Sequence, residues 1–252
     1  MNRLQLWDKS QDSTDLPLKD DGLSVPASND RSGGHHAIFA PLHYEPNYAY
    51  PLVVWLHGPN DNETQLQRVM PEISLRNYVG VGTRGNVASP VGFSWRDGDL
   101  GSAEQAVFDS IDMVQARFNI APHRIFLAGF ESGGSLAFRI GLRHPSTFAG
   151  VLSAGGPFPL GQTPLACLDQ ARSLPLFIAQ GRYSKTYPVE RTCDELRLFH
   201  SAGLSVSVRQ YPCADELDSL MLRDMDAWIM ERVTGIASDS GSDAPSFDQH
   251  LN

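Results

Sequence analysis

The sequence predicts an α/β protein with a mostly parallel central sheet and helices on both faces. Two patterns carry that reading. Short apolar runs rich in Val, Ile, Leu and Phe recur between residues 36 and 211, and longer amphipathic stretches separate most of them. The runs are also apolar nearly throughout, as strands covered on both faces are, whereas half-exposed strands alternate. Strand and helix in repeated succession give a parallel sheet wound by helices. A closed eight-fold barrel would want more repeats at a more even spacing.

Taken in order, strands are expected at 36–42, 51–56 and 78–82. A helix over 103–118 follows, with Ala106, Val107, Ile111, Met113, Val114 and Phe118 as its apolar stripe. A strand at 124–129 leads into a helix at 132–143, and strands at 149–153 and 175–179 come next. Helix 188–201, strand 204–211 and helix 216–233 complete the series. Outside this α/β domain, placed at 35–234, residues 1–34 read as a flexible polar arm with Leu4, Leu6 and Trp7 able to tack onto the body. Residues 235–252 read as a disordered acidic tail.

With 252 residues, 41% hydrophobic and 19% charged, the chain has ample material for a core. No run approaches the length of a membrane span. The net charge of −9 disfavours nucleic acid and anionic membranes, because phosphate repels such a surface. No cofactor or metal is expected, and the oligomeric state is left open. The three cysteines, Cys167, Cys193 and Cys213, lack metal-ligand spacing and fit a reducing compartment. The first residues lack the apolar stretch of a secretory signal, so a cytoplasmic location is expected.

In open α/β sheets the functional groups gather where strands end. The segments after the apolar runs read LHGPND, GFESGG, QGRYSK and YPCADEL. The block at 124–159, RIFLAGFESGGSLAFRIGLRHPSTFAGVLSAGGPFP, resembles the strand, nucleophile elbow and helix of α/β-hydrolases, in particular the phospholipase/carboxylesterase group. WLHGPNDNE, GTRG and Trp95 extend the likeness upstream, so that it covers roughly 36–233. It implies the α/β-hydrolase fold and a Ser–Asp–His triad at the carboxyl edge of the sheet.

The triad positions are filled differently. Gly129 and Gly133 are the small residues the elbow needs, but Glu131 stands at the serine position between them. Ser184 stands at the acid position, where a hydroxyl cannot balance an imidazolium. Asp215 occupies the histidine position. In the family one oxyanion donor is the backbone N–H just after a His-Gly pair; here that residue is Pro59, which has none. The second donor, the N–H of Ser132, is retained. The plainer reading of Ser132's side chain is a helix N-cap, and that of His57 is a loop brace.

Three functions follow. The chain is a hydrolase scaffold whose serine chemistry is gone and whose cleft binds a small acyl or aryl molecule, with Phe130, Trp95 and Tyr183 as lining. Alternatively Glu131 acts as a carboxylate nucleophile, or joins Asp215 and His57 around a hard cation. A third reading is a working esterase with a displaced serine, Ser132, Ser135 or Ser153.

Overall fold

The computed structural model describes residues 35–96, 98–159 and 166–236. The expectations for the arm at 1–34 and for nearly all of the tail fall outside these residues.

The chain runs through β1 (His36–Phe39), β2 (Tyr50–Leu56), α1 (Gln65–Ile73) and β3 (Val79–Thr83). A small hairpin follows, β4 (Val87–Ser89) with β5 (Gly92–Ser94). Then come α2 (Leu100–Gln115), β6 (Ile120–Phe130), α3 (Ser132–Arg143), β7 (Gly150–Ala154) and the short α4 (Leu168–Ala171). The described chain closes with β8 (Leu176–Gly181), α5 (Val189–Ala202), β9 (Val206–Tyr211) and α6 (Ser219–Thr234).

Seven strands form one sheet in the order β1–β3–β2–β6–β7–β8–β9. Only β1 runs antiparallel; every other pairing is parallel. The seven apolar runs of the sequence are these seven strands. Side-chain alternation along β2 divides the core in two. Leu52, Val54 and Leu56 face one layer together with Val107 of α2, Phe138 of α3 and Phe199 of α5. Val53 and Trp55 face the other with Met70 of α1 and Met225 and Trp228 of α6. Both faces are therefore covered, which is why β2 is buried at every position. Among the described residues, no helix is long and apolar enough to cross a membrane.

Helix α1 was not among the predicted elements. Pro71 lies inside it, yet Leu66, Val69, Met70 and Ile73 still make one buried face. The sheet order also fixes where a site can form. From β2 the chain crosses to β3 on one side and then returns to place β6 on the other. The loops after β2 and β6 diverge at this switch point and leave a crevice at the carboxyl edge.

Candidate active site

The β6–α3 turn is the elbow. Glu131 sits at its tip with φ 45° and ψ −112°, a left-handed conformation that L side chains rarely adopt. Holding a glutamate there costs on the order of 1–3 kcal/mol, and its backbone bonds supply part of the restraint. Its N–H donates to Ala154 O of β7 at 2.8 Å, and its carbonyl accepts the Ser135 N–H at 2.9 Å, starting α3. The flanking glycines are sterically required. A Cβ on Gly133 would stand 2.1 Å from Leu56 O, and one on Gly129 would stand 2.5 Å from the Gly133 backbone. The turn thus presents one side chain outward, and that side chain is a carboxylate.

Ser184 and Asp215, the two other positions singled out by the resemblance, meet each other. The Ser184 hydroxyl donates to Asp215, whose carboxylate also accepts the Lys185 and Thr186 N–H groups, each at 3.1 Å. Ser184 Oγ in turn accepts the Tyr187 N–H at 2.8 Å. The Ser184 bond, helped by the two N–H groups, holds the Asp215 carboxyl below its ordinary range. Glu131 is shifted the other way: partial burial raises its carboxyl, and the charge of Asp215 raises it further. Two carboxylates therefore act on each other at this edge of the sheet.

The loop after β2 is fully committed to structure. His57 is completely buried. Its Nδ1–H donates to Gly58 O at 2.7 Å and its Nε2 accepts the Gly85 N–H at 2.8 Å, an arrangement that requires the neutral ring. Burial lowers its pKa accordingly. Both ring nitrogens are occupied, so His57 braces the loop and is available neither as a base nor as a ligand to the cation considered above. Among the described residues no group of three or more His, Cys, Asp or Glu side chains is placed to hold a metal ion. The Gly58 N–H goes to Gln65 Oε1 at 3.2 Å, and the indole of Trp95 donates to His57 O at 2.9 Å. Since Pro59 has no N–H, neither residue of this turn offers a donor to an oxyanion.

A cleft of about 400 Å³ opens beside the elbow, with Glu131, Ser132, Pro59, Trp95, Leu136 and Phe158 in its wall. Arg96, Arg139 and Arg191 also line it. Sequence reasoning missed these arginines because they come from three separate segments with no shared motif; only the fold juxtaposes them. Two of the expected aromatic linings are corrected. Phe130 packs against Gly58, where its ring fills the space a Cβ would take, and Tyr183 projects outward, 62% exposed.

The serine candidates divide in the same way. Ser135 Oγ donates to Pro157 O at 2.6 Å, and Ser153 Oγ donates to Gly156 O at 2.8 Å. Both are spent on backbone carbonyls. The expected capping role for Ser132 does not hold either, because the elbow places Glu131 at the cap and Ser132 inside the helix. The Ser132 hydroxyl is buried without a hydrogen-bond partner.

With this geometry described, the chain can be set beside known proteins. No family model matches it. It is 29% identical over 119 residues to a protein named as an esterase, NocK of Nocardia uniformis subsp. tsuyamanensis; the match covers 43% of this chain. The chain spans 33% of that relative's length. Among solved structures it is similar to SOBER1 of Arabidopsis thaliana, with a TM-score of 0.59 and 20% identity over 73% of this chain and 100% of that one. It is similar to the Bacillus cereus carboxylesterase, with a TM-score of 0.64 and 15% identity over 80% and 96% of the two chains. It is also similar to acyl-protein thioesterase 2 of Zea mays, with a TM-score of 0.60 and 15% identity over 79% and 99%. The fold is that of the α/β-hydrolases, with a carboxylesterase- and thioesterase-like arrangement of sheet and helices.

Proposed function

We propose that this α/β-hydrolase-fold chain has lost serine-ester hydrolysis and serves as a binding protein, taking a small molecule with an acyl or aryl portion in the cleft beside Glu131. One observation carries the reading: the strained elbow position, whose conformation elsewhere serves to present a nucleophilic hydroxyl, holds a glutamate. A serine hydrolase needs a base within reach of its hydroxyl and donors aimed at the developing oxyanion. At this elbow the base position is an aspartate tied to Ser184, and the loop after β2 has no donor to give. Losing even one oxyanion donor typically costs about 3 kcal/mol of transition-state stabilisation.

The competing use of Glu131 as a covalent nucleophile requires a second group to activate water and release the ester. Asp215 is ill suited to that step. Its three hydrogen bonds stabilise the ionised form and weaken it as a base. Ser132, the displaced-serine alternative, has no hydrogen bond to any base. The cysteines among the described residues are all free thiols, which fits a reducing cytoplasmic setting.

Turnover of p-nitrophenyl acetate and p-nitrophenyl butyrate by the purified chain tests the reading. Rates no higher than those of a Glu131→Gln control are expected. Saturable turnover well above that control would refute it.

A further inference from the structure

We propose that the cleft beside Glu131 binds a small zwitterion with an apolar body, of the class of a free amino acid or dipeptide, its acidic group toward Arg96 and Arg191 and its amino group toward Glu131. This rests on the reading that the cleft binds rather than hydrolyses.

The cleft holds unsatisfied charge of both signs. The Glu131 carboxylate has no hydrogen bond or ion pair, and the Arg96 guanidinium has no ion pair, among the described residues. Arg191 is ion-paired with the buried Glu195 and held in place by it. Its Nε donates to Glu195 and its Nη2 to Phe158 O, each at 2.9 Å, which leaves Nη1 uncommitted. Glu195 itself is shared with the Tyr187 hydroxyl at 2.5 Å and the Phe158 N–H at 3.1 Å. Arginines on a surface of net charge −9 concentrate positive potential locally. Toward the elbow the sign reverses, since Asp215 adds its charge to that of Glu131.

A purely anionic ligand would be drawn to Arg96 and Arg191 but repelled by Glu131. A purely cationic one would meet the opposite pattern. A molecule bearing both groups satisfies both ends, and charge-assisted hydrogen bonds in a partly desolvated cleft are the strong ones. Trp95, Leu136 and Phe158 supply an apolar wall for the remainder. The cleft volume of about 400 Å³ lies within the range of small-molecule sites.

The test is a calorimetric titration of the whole chain at neutral pH with phenylalanine, N-acetylphenylalanine and phenylalaninamide. Phenylalanine is expected to bind about tenfold tighter than either blocked form. Arg96→Gln should narrow the gap between phenylalanine and phenylalaninamide, and Glu131→Gln should bring phenylalanine level with N-acetylphenylalanine. The three wild-type affinities decide the matter even where a variant folds poorly. Equal binding of N-acetylphenylalanine and phenylalanine, or no saturable binding of any of the three, would overturn the inference. Nitrophenyl-ester turnover by the wild type would instead defeat the binding-protein reading and leave this affinity order to be judged separately.

Discussion

Ser184 and Asp215, 31 residues apart in the chain, are joined side chain to side chain. The bond ties the loop after β8 to the loop after β9, and the Lys185 and Thr186 N–H groups reinforce it. At the two positions that the resemblance aligns with a carboxylate and an imidazole, the pair here is a hydroxyl donor and a carboxylate acceptor.

Ser184→Ala should therefore weaken the fold, by about 1 kcal/mol, since it removes one donor to Asp215 and the acceptor of the Tyr187 N–H. The acid limb should change as well. Asp215 has a depressed folded pKa, so its contribution is present above its unfolded value of 3.8 and is lost as pH falls through the lower folded value. Urea unfolding from pH 2 to 7 should show a smaller acid-side loss in Ser184→Ala than in wild type. Superimposable pH profiles would refute this.

Glu131 carries the opposite linkage. Its folded pKa is raised above 4.5 by burial and by Asp215, so its contribution is most favourable below 4.5 and declines as pH rises through the folded value. Glu131→Gln should accordingly be more stable than wild type near neutral pH, with the gap closing toward pH 4. Glu131→Gly should gain about 1 kcal/mol more by relieving the positive φ. Thermal unfolding of both variants across that pH range is the check.

His57 is expected to matter for stability without taking part in any reaction. His57→Phe strands the buried Gly85 N–H and the Gly58 carbonyl, a loss of about 2–4 kcal/mol. The wild type should also lose stability as pH falls below about 6.5, because a histidine with a depressed folded pKa takes up its proton more readily when unfolded. His36, lowered by burial too, adds to that slope. Denaturant midpoints of His57→Phe and wild type at pH 7 and pH 5.5 measure both effects.

The sheet was legible because its strands are buried on both faces and therefore written as apolar runs. The bounds expected for α3 are those observed, fixed by Gly129 before it, Gly133 in its first turn and the apolar face within it. Other elements left weaker traces. β6 begins at Ile120, four residues before the apolar run, because Ile120 pairs with Tyr50 across an irregularity in register and Ala121, Pro122 and His123 interrupt the apolar pattern between. The β4–β5 hairpin has only three residues per strand, too few for a period to show. At the site, the sharp β6–α3 turn with Glu131 at its tip could be read from its local motif, and the structure joins Ser184 to Asp215. The orientations of Phe130 and Tyr183, and the convergence of Arg96 and Arg191, depend on how distant segments pack, and no local pattern encodes that.

Restoring the chemistry should be possible in steps. The triple variant Glu131→Ser, Ser184→Asp, Asp215→His should acquire weak activity on short acyl esters, because it returns a nucleophile to the elbow and an orienting acid and a base to two loops already in contact. Adding Pro59→Leu should raise the rate by up to about a hundredfold, the equivalent of ~3 kcal/mol from one oxyanion donor. Each single substitution should stay silent, since triad members act as a unit. An inactive but well-folded quadruple variant would contradict this account of the loops.

The most direct test of the central claim is covalent labelling of the wild-type chain with a fluorophosphonate probe, followed by peptide mapping. With Glu131 at the elbow and Ser135 and Ser153 bonded to backbone carbonyls, no serine is activated and no stoichiometric adduct should form. The triple variant serves as the positive control, labelling at position 131. Stoichiometric labelling of the wild type at Ser132, or at any other serine, would contradict the loss of serine chemistry.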